Sequence, residues 1–191
     1  MSQAVLVTGI ADIRTALNAL PLLTALRQQG CTITLHIPHR LTDLFGRARL
    51  YDVLWTHEKI LRWHLWLKKR GFDGVFNMRH PREDWPQQSP DIAKLQADVE
   101  FFALQKPYVL MTRIHSWPVL RQAGLARRLH LAGFQAVFLG AVNDAPLAKA
   151  APEMIDLSGR TTLPEVLGLA LQAHAYIGMD DGLADLAAMA G

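Results

Sequence analysis

Apolar positions along the chain fall into two alternating textures. Short runs such as Ala4–Thr8 and Tyr108–Met111 are apolar almost throughout, while the stretches between such runs carry an apolar side chain every third or fourth position. A short unbroken run suits a strand buried on both faces, and the 3.6-residue period suits an amphipathic helix. Their alternation predicts parallel strands joined by helices. Strands are predicted at Ala4–Thr8, Thr32–Ile37, Val53–Trp55 and Gly74–Asn77, then at Tyr108–Met111, Ala136–Leu139, Met154–Leu157 and Ala175–Ile177. A helix predicted over Ile13–Gln29 aligns Ile13, Leu17, Leu20, Leu23 and Leu26 and stops at Gly30. A shorter helix over Ile60–Arg70 carries Leu61, Leu65, Trp63 and Trp66, the tryptophans reading as core or interface.

The clearest break in composition is "RHPREDWPQQSPDI", residues 79–92, rich in Pro, Gln and charge. It reads as a surface loop leading into a linking helix over Asp91–Ala103. Two Rossmann-like domains with parallel sheets are therefore expected, residues 1–104 and 105–191. The last helix starts in "GLADLAAM", with Leu183, Leu186 and Ala187 on one face, and stops at Gly191. The second domain is thus expected to be shortened.

Composition narrows the setting. With 191 residues and 50% hydrophobic content, the chain can bury a sizeable core. Its net charge of +3 is modest, and the basic pairs and triplets at Arg47/Arg49, Lys68-Lys69-Arg70 and Arg127-Arg128 read as solvated helix ends rather than a nucleic-acid surface. The single Cys31 excludes an intrachain disulfide, and no Cys/His spacing suggests zinc. No apolar run approaches a membrane span. A cytoplasmic protein without cofactor or transmembrane segment is expected, with a peripheral place at the inner membrane left open. Trp63 and Trp66 also make a homo-oligomer or protein partner plausible.

Two adjacent acids, Asp180 and Asp181, stand where the predicted strand Ala175–Ile177 turns into the last helix. An N-cap carboxylate stabilises such a turn by roughly 1 kcal/mol, which accounts for one acid more readily than for two. The alternative is a ligand site, because strand-to-helix turns at the carboxyl end of a parallel sheet hold phosphorylated ligands. The first such turn, "TGIADI", lacks the G-x-G-x-x-G spacing of a dinucleotide site, which argues against a nucleotide-dependent oxidoreductase or epimerase.

Three stretches together resemble the family 9 glycosyltransferases, the ADP-heptose:lipopolysaccharide heptosyltransferases and their relatives. "AVLVTGIADIRTALNALPLLTALRQQG" is similar to the family's first strand, loop and helix with its Leu-Pro-x-Leu-x-x-Leu run, here Leu20, Pro21, Leu23 and Leu26. "YVLMTRIHSWP" resembles the strand and Lys-x-Trp-Pro segment that opens the second domain. "IDLSGRTTLPEVLGLALQAHAYIGMDDGLADLAAMAG" resembles the Leu-x-Gly-Lys-Thr-Ser-Leu-x-Glu loop, helix, strand and Asp-Ser/Thr-Gly-x-x-His-Leu-Ala-Ala motif. The resemblance implies a GT-B-like fold, two Rossmann-like domains facing a cleft. It also implies an inverting, metal-independent transfer of a sugar from a nucleotide diphosphate donor, ADP-heptose-like, to a cell-envelope glycan in lipopolysaccharide biosynthesis.

That reaction needs a general base for the acceptor hydroxyl and cations or N–H donors for the departing diphosphate. The family's base is an Asp after a Gly in the first loop. Ungapped alignment puts Arg14 and Thr15 there, with Asp12 the nearby carboxylate. His115 stands for the phosphate-neutralising Lys; Thr112 and Arg113 share its loop. Asp144, in "GAVNDAP", falls near the position of a family acid that contacts the nucleotide ribose. Asp180, Gly182 and Leu183 keep the final motif, while Asp181 replaces its hydroxyl residue and Asp185 its His. At an effective dielectric near 20, a carboxylate about 4 Å from a phosphate charge costs about 4 kcal/mol, roughly three decades of affinity. A divalent cation could bridge them. The alternative expectation is a catalytically degenerate subunit with a binding or assembly role.

Overall fold

The first half supplies four parallel strands, of which the central two are buried nearly throughout and the outer two are only partly covered. Ala4–Thr8 (β1), Thr32–Ile37 (β2), Val53–Thr56 (β3) and Gly74–Asn77 (β4) form one parallel sheet in the order β3-β2-β1-β4. The registers pair Ala4 with Thr32, Val5 with Gly74 and Thr34 with Val53. This computed structural model describes residues 2–47, 49–56, 71–83, 85, 95–140, 145–179 and 182–190. It divides into two compact units, Met1–Leu95 and Gln96–Gly191.

In unit 1, helix α1 (Ile13–Gln28) joins β1 to β2 and buries Leu17, Leu20, Leu23 and Leu26, with Ala16 and Ala19 closing the spaces between them. Asp12 caps it, Gln29 ends it and Gly30 lies beyond. A short helix α2 (Thr42–Gly46) precedes β3 and buries Leu44 and Phe45. At the amino edge of the sheet two aspartates do the same work. Asp52 and Asp73 accept from the backbone N–H of Ile33 and Ala4, both at 2.8 Å, and each returns its own N–H to that residue's carbonyl. These side chains satisfy strand-end donors that no neighbouring strand reaches. The predicted helix over Ile60–Arg70, with Trp63, Trp66 and Lys68-Lys69-Arg70, lies outside the described residues.

Unit 2 repeats the plan. Tyr108–Met111 (β5), Gln135–Phe138 (β6), Ile155–Asp156 (β7) and Ala175–Ile177 (β8) form a parallel sheet in the order β7-β6-β5-β8. Val109, Met111, Ala136 and Phe138 pack with Ala123 and Ala126 of α3 (Val119–Leu131) and Leu147 of α4 (Ala145–Ala150). The alternate residues are buried as well: Tyr108 donates its hydroxyl to Leu169 O at 2.7 Å in α5 (Leu163–Gln172). The last helix, α6 (Gly182–Ala190), packs beside α5 and buries Leu186.

The segment before β5 corrects one expectation. The helix predicted over Asp91–Ala103 is absent from 95–103, which is irregular except for a 3-10 turn at Glu100–Phe102. Leu95, Ala97 and Val99 are buried and alternate with Gln96, Asp98 and Glu100, which is a period of two. Ala97 N–H donates to Pro164 O at 2.9 Å, and Gly168 leaves no room for a Cβ against Ala97 O. These contacts tie the segment to α5, within the compact unit Gln96–Gly191. No helix among the described residues is long and apolar enough to cross a membrane.

Candidate functional site

Each sheet has a switch point. From β1 the chain moves outward through β2 and β3, then returns to place β4 on β1's other side; β5, β6, β7 and β8 do the same. The crossovers on either side of the first strand diverge, which opens a crevice at its carboxyl end where α/β folds bind ligands.

In unit 2 the crevice is formed by the β5–α3 loop, Thr112–Pro118, and the turn after β8, Gly178 and Met179. Thr112 N–H donates to Ile177 O at 3.0 Å, extending the ladder by one residue. Its hydroxyl lies 2.8 Å from Tyr176 Oη, and the residue is buried. A Cβ on Gly178 would collide with both hydroxyl oxygens, so only glycine lets the turn lie against this pair. His115 N–H points at Met179 Sδ, 3.4 Å away, while its residue is exposed.

The loop is braced from behind by Gln122, which is 1% exposed. Its Oε1 accepts from Ile114 N–H at 3.1 Å; its Nε2 donates to Ile114 O at 3.1 Å and Trp117 O at 3.0 Å. One amide thus fixes both ends of the segment carrying His115. The guanidinium of Arg121 lies 4.5 Å above the Trp117 ring.

The structure therefore brings Thr112 and the His115 backbone together with the Gly178–Met179 turn. Arg113 is half-buried in the same loop, and Gly182 and Leu183 open α6. Thr112 Oγ1 is hydrogen-bonded to Tyr176 Oη, and a hydroxyl so engaged still has a further donor or acceptor position for a ligand. Asp144, Asp180 and Asp181 lie outside the described residues.

In unit 1 the corresponding crevice lies between Gly9–Asp12 and Asn77–Arg79. Gly9 has φ 84°, and a Cβ there would strike Asn77 Oδ1. Met78 N–H donates to Thr8 O at 2.7 Å, and Arg40 Nη2 reaches Ala11 O at 2.6 Å. Thr8 Oγ1 and His36 Nδ1 form a buried pair at 2.9 Å.

Asp12 stands where this loop becomes α1. Its Oδ1 accepts from Thr15 N–H at 2.8 Å and from Thr15 Oγ1 at 2.7 Å. Hydrogen bonds from the Thr15 backbone and then its hydroxyl hold the carboxyl below its ordinary range. A depressed pKa keeps it ionised but makes it a weaker base. Arg14 and Thr15, which ungapped alignment sets opposite the family's Gly-Asp, lie inside the first turn of α1, leaving Asp12 at the loop-to-helix junction. Among the described residues no cluster of three or more His, Cys, Asp or Glu could hold a metal.

Sequence reasoning missed Gln122, Tyr176, Gly178 and the Thr8–His36 pair. Gly178 had a signal, a glycine directly after a strand; Gln122 had none, since a glutamine on a helix reads as solvent-facing.

The Glycosyltransferase family 9 (heptosyltransferase) model matches residues 48–191. No curated protein matches the sequence. Among solved structures, E. coli ADP-heptose LPS heptosyltransferase II superposes with a TM-score of 0.69 at 18% identity, over 100% of this chain and 82% of that one. The family 9 glycosyl transferase from Veillonella parvula DSM 2008 gives 0.71 at 15% identity, covering 99% and 78%. E. coli heptosyltransferase WaaC with ADP-2-deoxy-2-fluoro heptose gives 0.67 at 13%, covering 98% and 86%. Identities this low speak for the fold, which is that of the GT-B heptosyltransferases, two parallel-sheet α/β units. With the family model spanning most of the sequence, the chain belongs to glycosyltransferase family 9, the heptosyltransferases.

Proposed function

We propose that the chain binds a nucleoside diphosphate sugar, ADP-heptose-like, at the carboxyl ends of β5 and β8 and transfers the sugar to a cell-envelope glycan. The observation that carries this reading is the switch point of unit 2, where the braced Thr112–Trp117 loop meets the Gly178–Met179 turn. The heptosyltransferase named with an ADP-heptose analogue supports the donor class. In this reading Arg113 and His115 face the diphosphate, the N–H groups of Gly182 and Leu183 at the start of α6 add partial positive charge, and Asp144 takes the ribose. Asp180 and Asp181 follow Met179 in sequence, and a divalent cation would offset the charge of Asp181 beside the diphosphate. Asp12 is the candidate base. It is ionised at neutral pH, and Oδ2, which carries neither Thr15 bond, offers the lone pair for the acceptor's proton.

One observation favours a second reading, a degenerate subunit that binds without transferring. The Asp12 carboxylate is engaged twice by Thr15 and its basicity is lowered. Incubation with ADP-heptose and a core-glycan acceptor separates the two. Acceptor-dependent ADP release that falls roughly a hundredfold or more in Asp12→Asn supports transfer with Asp12 as base. ADP-heptose binding without release, with and without Mg²⁺, selects the second reading.

A further inference from the structure

Helix α3 is amphipathic in an unusual sense: its core side is small and its solvent side is apolar at the centre. Gln122, Ala123 and Ala126 are buried, whereas Leu120 and Leu131 are each 80% exposed. Successive residues turn by about 100°, which sets Leu120, Gly124 and Leu131 in one outward stripe. Arg127 borders the stripe on one side, and Arg121 and Arg128 border it on the other, all three exposed. The helix sequence, VLRQAGLARRLHL, contains no acid. Among the described residues the acid paired to it is Glu153, 3.3 Å from Arg127 Nε, while 63% of the Arg127 side chain stays accessible.

Leucines in a row between arginines fit a surface that is apolar in its interior and anionic at its boundary. We propose that this face of α3 docks unit 2 on an anionic lipid bilayer, Leu120 and Leu131 entering the acyl boundary and Arg121, Arg127 and Arg128 meeting lipid phosphates. The leucines are eleven positions apart, roughly 16 Å along the axis, so the helix lies in the interface plane. The inference is independent of the nucleotide-site reading, since Leu120, Leu131, Arg121, Arg127 and Arg128 belong to α3 and none of them is named at that site. An acidic protein partner would also satisfy the arginines, but a single convex helix with two isolated leucines offers no groove for a protein surface to fill.

Co-sedimentation of the full chain with phosphatidylcholine vesicles containing about one-third phosphatidylglycerol tests it, against pure phosphatidylcholine. The wild type binds the anionic vesicles, binds pure phosphatidylcholine weakly, and is released by salt. Each arginine near such a surface contributes about fivefold in partitioning, so Arg128→Glu, a change of two charges, lowers it about 25-fold. The double variant Leu120→Gln/Leu131→Gln lowers it at least tenfold with unchanged circular dichroism, because both side chains are already in solvent. Failure of the wild type to bind anionic vesicles, or equal binding by either variant, overturns the proposal. So does self-association abolished by the leucine variant, which would make the face a protein interface.

Discussion

Replacing Gln122 by Ala removes three hydrogen bonds at once, at 3.1, 3.1 and 3.0 Å. Each contributes about 1 kcal/mol net, and the groups left behind are half-buried, so water replaces only part of the loss. The amide is 1% exposed, so its removal also leaves a small void. The sum is about 2–3 kcal/mol. Gln122→Met keeps most of the volume but none of the polarity, and separates the two contributions: it should lose about 2 kcal/mol, with Gln122→Ala losing somewhat more. Urea unfolding followed by circular dichroism measures the difference. Amide exchange at Ile114, whose N–H is held by Gln122 Oε1, should accelerate in both variants. A Gln122→Ala protein within about 0.5 kcal/mol of wild type, with Ile114 exchanging at the wild-type rate, would refute the idea that this side chain braces the loop.

Further outcomes follow from other contacts. Gly178→Ala drives a Cβ into Thr112 Oγ1 and Tyr176 Oη; it should cost about 1–3 kcal/mol in the same assay and weaken nucleotide binding. Asp52 is held below its ordinary value of 3.8, first by the Ile33 N–H and then by Arg27 at 2.7 Å. Its contribution is complete above that pH and is lost as pH falls below it, so Asp52→Asn should flatten acid unfolding in that window. Burial pushes the Tyr108 hydroxyl up to about 12. Stability from its neutral form is present below pH 10 and lost as pH rises toward that value. Tyr108→Phe should remove this alkaline loss while costing about 1 kcal/mol at neutral pH through the Leu169 hydrogen bond.

The sheets were legible because parallel strands leave little choice of side chain. Every residue of Tyr108–Met111 is buried on one face or the other, so the run itself is the signal. The Leu95–Val99 segment was misread as helix because alanine and leucine favour helices, while the alternation that governs it is short and depends on α5 as a partner. At the site, sequence supplied the loops but not their internal commitments. That Thr112 shares its hydroxyl with Tyr176, sixty-four residues away, could not be read from the loop itself. Asp12 resembled either a cap or a base, and the cap geometry is a matter of the first turn of α1 alone. The periodicity starting at Ile13 already set Asp12 at the loop-to-helix junction, with Arg14 and Thr15 inside the helix; the double contact of Thr15 on Asp12 Oδ1 was not legible.

The most direct measurement follows backbone amide shifts as ADP is added to the isotope-labelled chain. If the donor nucleotide is held at the switch point of unit 2, shifts concentrate on residues 112–117 and on the turn from Gly178 into α6, and Gly178→Ala diminishes them. Shifts confined to Gly9–Asp12 and Asn77–Arg79 of unit 1, or none at saturating ADP with and without Mg²⁺, would contradict that assignment.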